Sequence, residues 1–127
     1  MVSSATLIAV LVLIAALAVV LLGLRERAKS RVSPGRIVFI KGPREGDEVA
    51  LSAGRIRIGA LDDNDLVIPS RQVSRYHAEL RVRAGRVHLW DLHARNLTYV
   101  NGETVQTREL ESGDVITIGD AELRYER

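Results

Sequence analysis

No charged side chain occurs before Arg25, and within that stretch Ala5 to Leu22 is apolar throughout except for Thr6. A chain segment can cross a bilayer alone only if it satisfies its own backbone hydrogen bonds, and a helix does so. About 20 residues, rising roughly 1.5 Å each, span a hydrocarbon core of about 30 Å. The run therefore predicts one transmembrane α-helix over residues 5–22, in an anchor at 1–24. Its apolarity on every side argues against a core helix, which keeps a polar face. A cleaved signal peptide would want positive charge ahead of a shorter apolar core. Here no Lys or Arg precedes the run, and the Ala16-x-Ala18 pattern lies inside it. Arg25, Arg27, Lys29 and Arg31 follow the helix, and positive flanks stay cytoplasmic. The expected topology puts the N-terminus outside and the rest of the chain inside. A basic juxtamembrane linker is expected at 25–35, with Ser30, Ser33, Pro34 and Gly35 as its turn-forming residues.

The net charge of +2 hides a division. Arg25 to Arg36 holds five basic residues and one acid, whereas the chain from Ile37 onward holds 13 basic and 15 acidic residues. A nucleic-acid footprint needs cations concentrated on the folded domain, so no nucleic-acid partner is expected. The absence of cysteine excludes disulfides, thiol catalysis and cysteine-based zinc sites.

Beyond residue 35 the pattern turns to short runs of period two. Ile37–Ile40 reads as a buried strand, Lys41–Gly46 as a turn, and Glu48–Leu51 and Arg55–Ile58 as strands. Leu66–Ile68 is a short apolar piece closed by Pro69. Ala78–Val82 alternates, with Leu80 and Val82 on one face and Glu79 and Arg81 on the other. Ala84-Gly85 turns the chain into Arg86–Asp91. Thr98–Val100 runs into Asn101-Gly102, a hairpin pair that tolerates positive φ, and Gly119-Asp120 joins Val115–Ile118 to Glu122–Tyr125. No stretch beyond the anchor keeps a helical period over 11 residues. Short strands with frequent turns predict an all-β sandwich or barrel over residues 36–127.

Particular residues narrow the choice: Arg55-Ile-Arg-Ile-Gly59, Asn64-Asp65-Leu66, Val73-Ser74-Arg75-Tyr76-His77, Trp90-Asp91-Leu92, Asn96, Tyr99-Val100-Asn101-Gly102 and Gly113-Asp114-Val115-Ile116-Thr117-Ile118-Gly119. In this order they resemble the forkhead-associated (FHA) family, whose β-sandwich of antiparallel strands reads phosphothreonine in partner proteins. A phosphothreonine carries close to two negative charges and three acceptor oxygens, so its reader needs charged and hydroxyl donors. The resemblance implies Ser74 as a hydroxyl donor to the phosphate, Arg75 as a further donor, and Asn96 as the clamp on the peptide main chain. It gives His77 and Gly59 supporting roles behind the site. The implied function is a membrane-anchored module that recruits proteins phosphorylated by Ser/Thr kinases to the cytoplasmic membrane face.

Three positions depart from the family pattern. Ala60 stands where an arginine normally contacts phosphate, and that loss amounts to roughly 1.5–3 kcal/mol. Ala94 removes a hydroxyl. Leu97 replaces a glycine, and a leucine at positive φ is strained, so the loop must take another path or bear the strain. Arg95, with Arg71 and Arg75 in the neighbouring loop, is the expected substitute cation source. The alternative is a phosphate-independent scaffold subunit of a membrane assembly for division, cell-wall synthesis or secretion, with its phosphate site degenerate at Ala60, Ala94 and Leu97. No HExxH, P-loop, GxGxxG or GxSxG motif accompanies His77, His88 and His93, so neither catalysis nor a cofactor is expected. Asp62-Asp63-Asn64-Asp65 lacks the glycine and distal glutamate of a calcium hand, so no metal is expected there.

Overall fold

The computed structural model describes residues 2–29 and 33–127, which divide into two units, one up to Val32 and one from Ser33. In the first, α1 (Ser4–Lys29) is a single helix of 26 residues, long and apolar enough over Ser4–Arg25 to cross a membrane. Its apolar side chains are exposed all round. The helix runs five residues into the segment expected to be linker (25–29), and residues 30–32 of that linker lie outside the described residues.

The second unit is a sandwich of two sheets. β1 (Arg36–Lys41), β2 (Glu48–Ala50), β7 (Thr98–Val100), β8 (Glu103–Thr104), β10 (Val115–Ile118) and β11 (Ala121–Glu126) form one, in the order β2-β1-β11-β10-β7-β8. β3 (Gly54–Gly59), β4 (Leu66–Val67), β5 (Ala78–Arg83), β6 (Arg86–Asp91) and β9 (Thr107–Glu109) form the other, in the order β4-β3-β5-β6-β9. Alternate residues point inward, as a pleated strand requires. Ile37, Phe39, Ile58, Leu80, Leu89, Ile116, Leu123 and Tyr125 meet between the sheets and are almost wholly buried. Each such side chain contributes about 1.5–3 kcal/mol by leaving water.

The expected turns form. Asn101 and Gly102 take φ of 51° and 82°, and Ala84 and Gly85 take 52° and 75°. The pairings are antiparallel with one exception: β4 runs parallel to β3, pairing Ile58 with Leu66 and Gly59 with Val67. Asp65 fastens this return, its carboxylate accepting a hydrogen bond from the Arg57 backbone N–H at 2.8 Å. β8 and β9 were not legible as strands, because their short polar sequences form ladders only with β7 and β6.

Strand direction sorts the loops to two ends. The chain enters β1 beside the end of β11, where Arg36 pairs with Glu126 and the Tyr125 hydroxyl donates to the Pro34 carbonyl at 2.6 Å. β3 and β10 finish at the opposite end, and β5 and β7 begin there. The loops carrying Ser74 and Asn96 thus gather at the end away from the entry point.

Candidate functional site

Gly59 is the floor of this loop cluster. A Cβ at this position would collide with the Arg75 carbonyl oxygen and would sit 2.8 Å from Asn64 Nδ2. Only glycine lets the loop from Pro69 to His77 settle so closely on the end of β3. Asn64, buried beneath, then holds that loop by donating through Nδ2 to Arg75 O at 2.7 Å and Leu61 O at 2.9 Å. The Ala60 N–H adds a hydrogen bond to Ser74 O at 3.0 Å. Gly119 serves the other side: its φ is 58°, and a Cβ there would lie 2.8 Å from the Gln72 carbonyl oxygen.

His77 is fully buried behind the loop. Its backbone bridges the two strands on either side, with N donating to Ile58 O at 2.8 Å and O accepting from Leu92 N at 3.0 Å. Its ring Nδ1 accepts the Ser74 backbone N–H at 3.0 Å, so the neutral ring carries its proton on Nε2. Burial pushes the imidazole pKa below the usual 6.5, and the Asp91 carboxylate only partly offsets this. The sign follows: the unfolded state binds the proton more readily, so the contribution of His77 is complete above about pH 6.5 and declines as pH falls below it. Between pH 7.5 and 5.5 the wild-type melting temperature is expected to fall further than that of His77→Asn, which keeps an acceptor for the Ser74 N–H without a titrating ring. Equal falls in the two proteins would remove His77 as the cause.

The second loop is built on Asp91. One carboxylate oxygen accepts from the buried Thr98 hydroxyl at 2.7 Å, and the other accepts from His93 N at 3.0 Å, closing a turn at the end of β6. Leu97 does not take positive φ; His93 does, at 57°. The loop has taken another path, its left-handed residue four positions earlier and the leucine side chain exposed.

The two loops are bonded to each other. Ser74 Oγ accepts the Arg95 backbone N–H at 2.9 Å, and Asn96 Nδ2 donates to Gln72 O at 2.7 Å. Ser74 keeps its own O–H for a ligand, and Asn96 keeps its carbonyl and one amide hydrogen. All four sequence-predicted contact residues, Ser74, Arg75, Arg95 and Asn96, line one open cleft of about 540 Å³. Arg71 and His93 join them. Sequence reasoning gave His93 no place there; the Asp91-Leu92-His93 turn that turns it inward is a weak signal in sequence. Ala60 is not in the lining but packs against the core. No carboxylate lines the cleft, and among the described residues none of its three arginines has an acidic partner.

Known proteins share this architecture. The FHA domain family matches residues 54–119. Over 75 residues the chain is 44% identical to the ABC transporter ATP-binding/permease protein Rv1747 of Mycobacterium tuberculosis, a match covering 59% of this chain and 9% of that protein. Over 89 residues it is 34% identical to the glycogen accumulation regulator GarA of Mycolicibacterium smegmatis, covering 70% of this chain and 56% of that one. The chain therefore spans less than two thirds of either relative. The crystal structure of the FhaA FHA domain complexed with the intracellular domain of Rv3910 aligns with a TM-score of 0.68 at 33% identity, over 72% of this chain and 98% of that domain.

Proposed function

Because this chain belongs to the FHA family, whose domains are phosphothreonine-binding protein-interaction modules, we propose that it recruits phosphothreonine-bearing proteins to the cytoplasmic face of a membrane. The observation that carries this reading is the cleft itself. Arg71, Arg75 and Arg95 reach it with the Ser74 hydroxyl and the Asn96 amide, and no acid competes for them. They supply the charge-assisted donors that a dianionic phosphate needs and that Ala60 lacks. Ser/Thr kinases would supply the modified partners. What the domain shares with the transporter and the glycogen regulator is the module alone, so neither transport nor metabolic control is carried over.

The apolar α1 and the basic residues that follow it support anchoring with the N-terminus outside. Entry of the chain at the end of the sandwich opposite the cleft supports recruitment.

A phosphate-independent scaffold is the competing reading, and Ala60 favours it, packed on the core rather than facing the cleft. Calorimetric titration of the full chain in lipid nanodiscs, with a degenerate phosphothreonine peptide library and its unphosphorylated twin, separates the two. Recruitment predicts binding of the phosphorylated pool only. Binding that appears in Ala60→Arg and is absent from the wild type would show that the natural domain has lost its phosphate site, which overturns recruitment by phosphothreonine.

A further inference from the structure

We propose that the open face of the five-stranded sheet around Trp90 is a second docking surface, which takes an acidic protein segment independently of the phosphate cleft. A single exposed aromatic residue is ordinary on a protein surface. The setting of Trp90 is not ordinary. The Arg81 guanidinium lies 4.0 Å from its ring centroid, a stacked cation–π arrangement. Arg81 is in turn held at 3.6 Å by Glu79, which faces away from the core and is nevertheless only 5% exposed. Arg55 approaches the same carboxyl group at 3.3 Å. Removing a carboxyl group from water is costly unless it is paired; here the pairing is by charge alone, since Glu79 Oε1 and Arg81 Nε are both buried without a hydrogen-bond partner among the described residues. The result is an aromatic platform with one guanidinium already stacked on it and an unsatisfied arginine N–H and carboxylate oxygen beside it.

Charge specifies the partner. The chain from Ile37 onward carries more acids than bases, yet the outward positions of β3, β5, β6 and β9 hold five arginines (55, 57, 81, 83 and 86) against Glu79 and Glu109. Arg81, Arg83, Arg86, His88 and Trp90 border a hollow of about 670 Å³. Arg83 has no acidic partner among the described residues, and Arg86 meets Glu109 only at 3.8 Å. Tryptophan and arginine are the side chains that most often dominate an interface, and a cationic rim selects carboxylates and rejects cations. The hollow and the phosphate cleft share no lining residue.

Trp90 is the only tryptophan in the chain, so its fluorescence reports this face alone. The test uses the full chain in phosphatidylcholine nanodiscs, titrated with a tryptophan-free dodecapeptide of Asp, Glu and Leu and with a twin carrying Lys in place of each acid. The acidic peptide is expected to shift Trp90 emission saturably, and the basic twin to leave it unchanged. Arg83→Glu combined with Arg86→Glu is expected to weaken the acidic peptide about 10-fold or more, with phosphothreonine-peptide affinity held within about twofold. No saturable shift, or an undiminished one in the double variant, overturns the proposal. So does a shift produced by phosphatidylglycerol in the discs without peptide, which would assign the face to the lipid surface.

Discussion

Arg75→Ala combined with Arg95→Ala is expected to weaken phosphothreonine-peptide binding about 100-fold. A hydrogen bond to a charged group contributes roughly 1.5–3 kcal/mol, and both arginines are exposed, so solvent screening holds each to the lower end of that range. About 1.4 kcal/mol is tenfold in affinity, and two such losses make about 100-fold. The pair is the sharpest test because the family's usual arginine is Ala60 here, so no other strong cation stands behind it except Arg71. Calorimetry of wild type and variant at two salt concentrations measures it. The wild type should lose affinity as salt rises, and the variant should lose much less. Undiminished binding in the variant would place the phosphate elsewhere.

Gly59→Ala is expected to cost about 3 kcal/mol of domain stability and to abolish peptide binding. The added methyl would overlap the Arg75 carbonyl oxygen and crowd Asn64, two groups hydrogen-bonded to each other, so neither can yield alone. The loop would lift, and Ser74 would lose its contacts with His77 Nδ1 and Arg95 N. For a domain of this size the melting temperature should drop by about 15 °C. A variant that melts like the wild type would show that the loop relaxes without cost. A variant that still binds would show that the close approach does not set the site.

The two predictions differ in how far the sequence reached them. The strands that alternate cleanly, Arg55–Ile58 and Ala78–Val82, were legible because period two encodes a buried face locally. The turns at Ala84-Gly85 and Asn101-Gly102 were legible because positive φ limits the residue choice. β8 and β9 were not, since a polar edge strand owes its pairing to neighbours remote in sequence. Alternation placed Glu79 on the face opposite Leu80 and Val82, and the fold buries it there all the same. Arg81 lies two residues along the same strand, whereas Arg55 is brought beside Glu79 only by the β3–β5 register.

The candidate site divides the same way. Gly59, Ser74 and Asn96 are picked out in the linear string by the resemblance to the FHA family, which implies a supporting glycine and two ligand donors at those positions. The same string marked Ala60, Ala94 and Leu97 as departures. It left open how the loop absorbs them, and the fold answers with positive φ at His93 rather than Leu97. By itself the sequence determined that an uncharged 24-residue segment precedes a β-sandwich with phosphate-reading residue types. Only the tertiary structure brought Arg71, Arg75 and Arg95 into one acid-free cleft and seated Arg81 on Trp90. Long flexible cations take their partners from whatever the fold places beside them, and that proximity is a property of three dimensions.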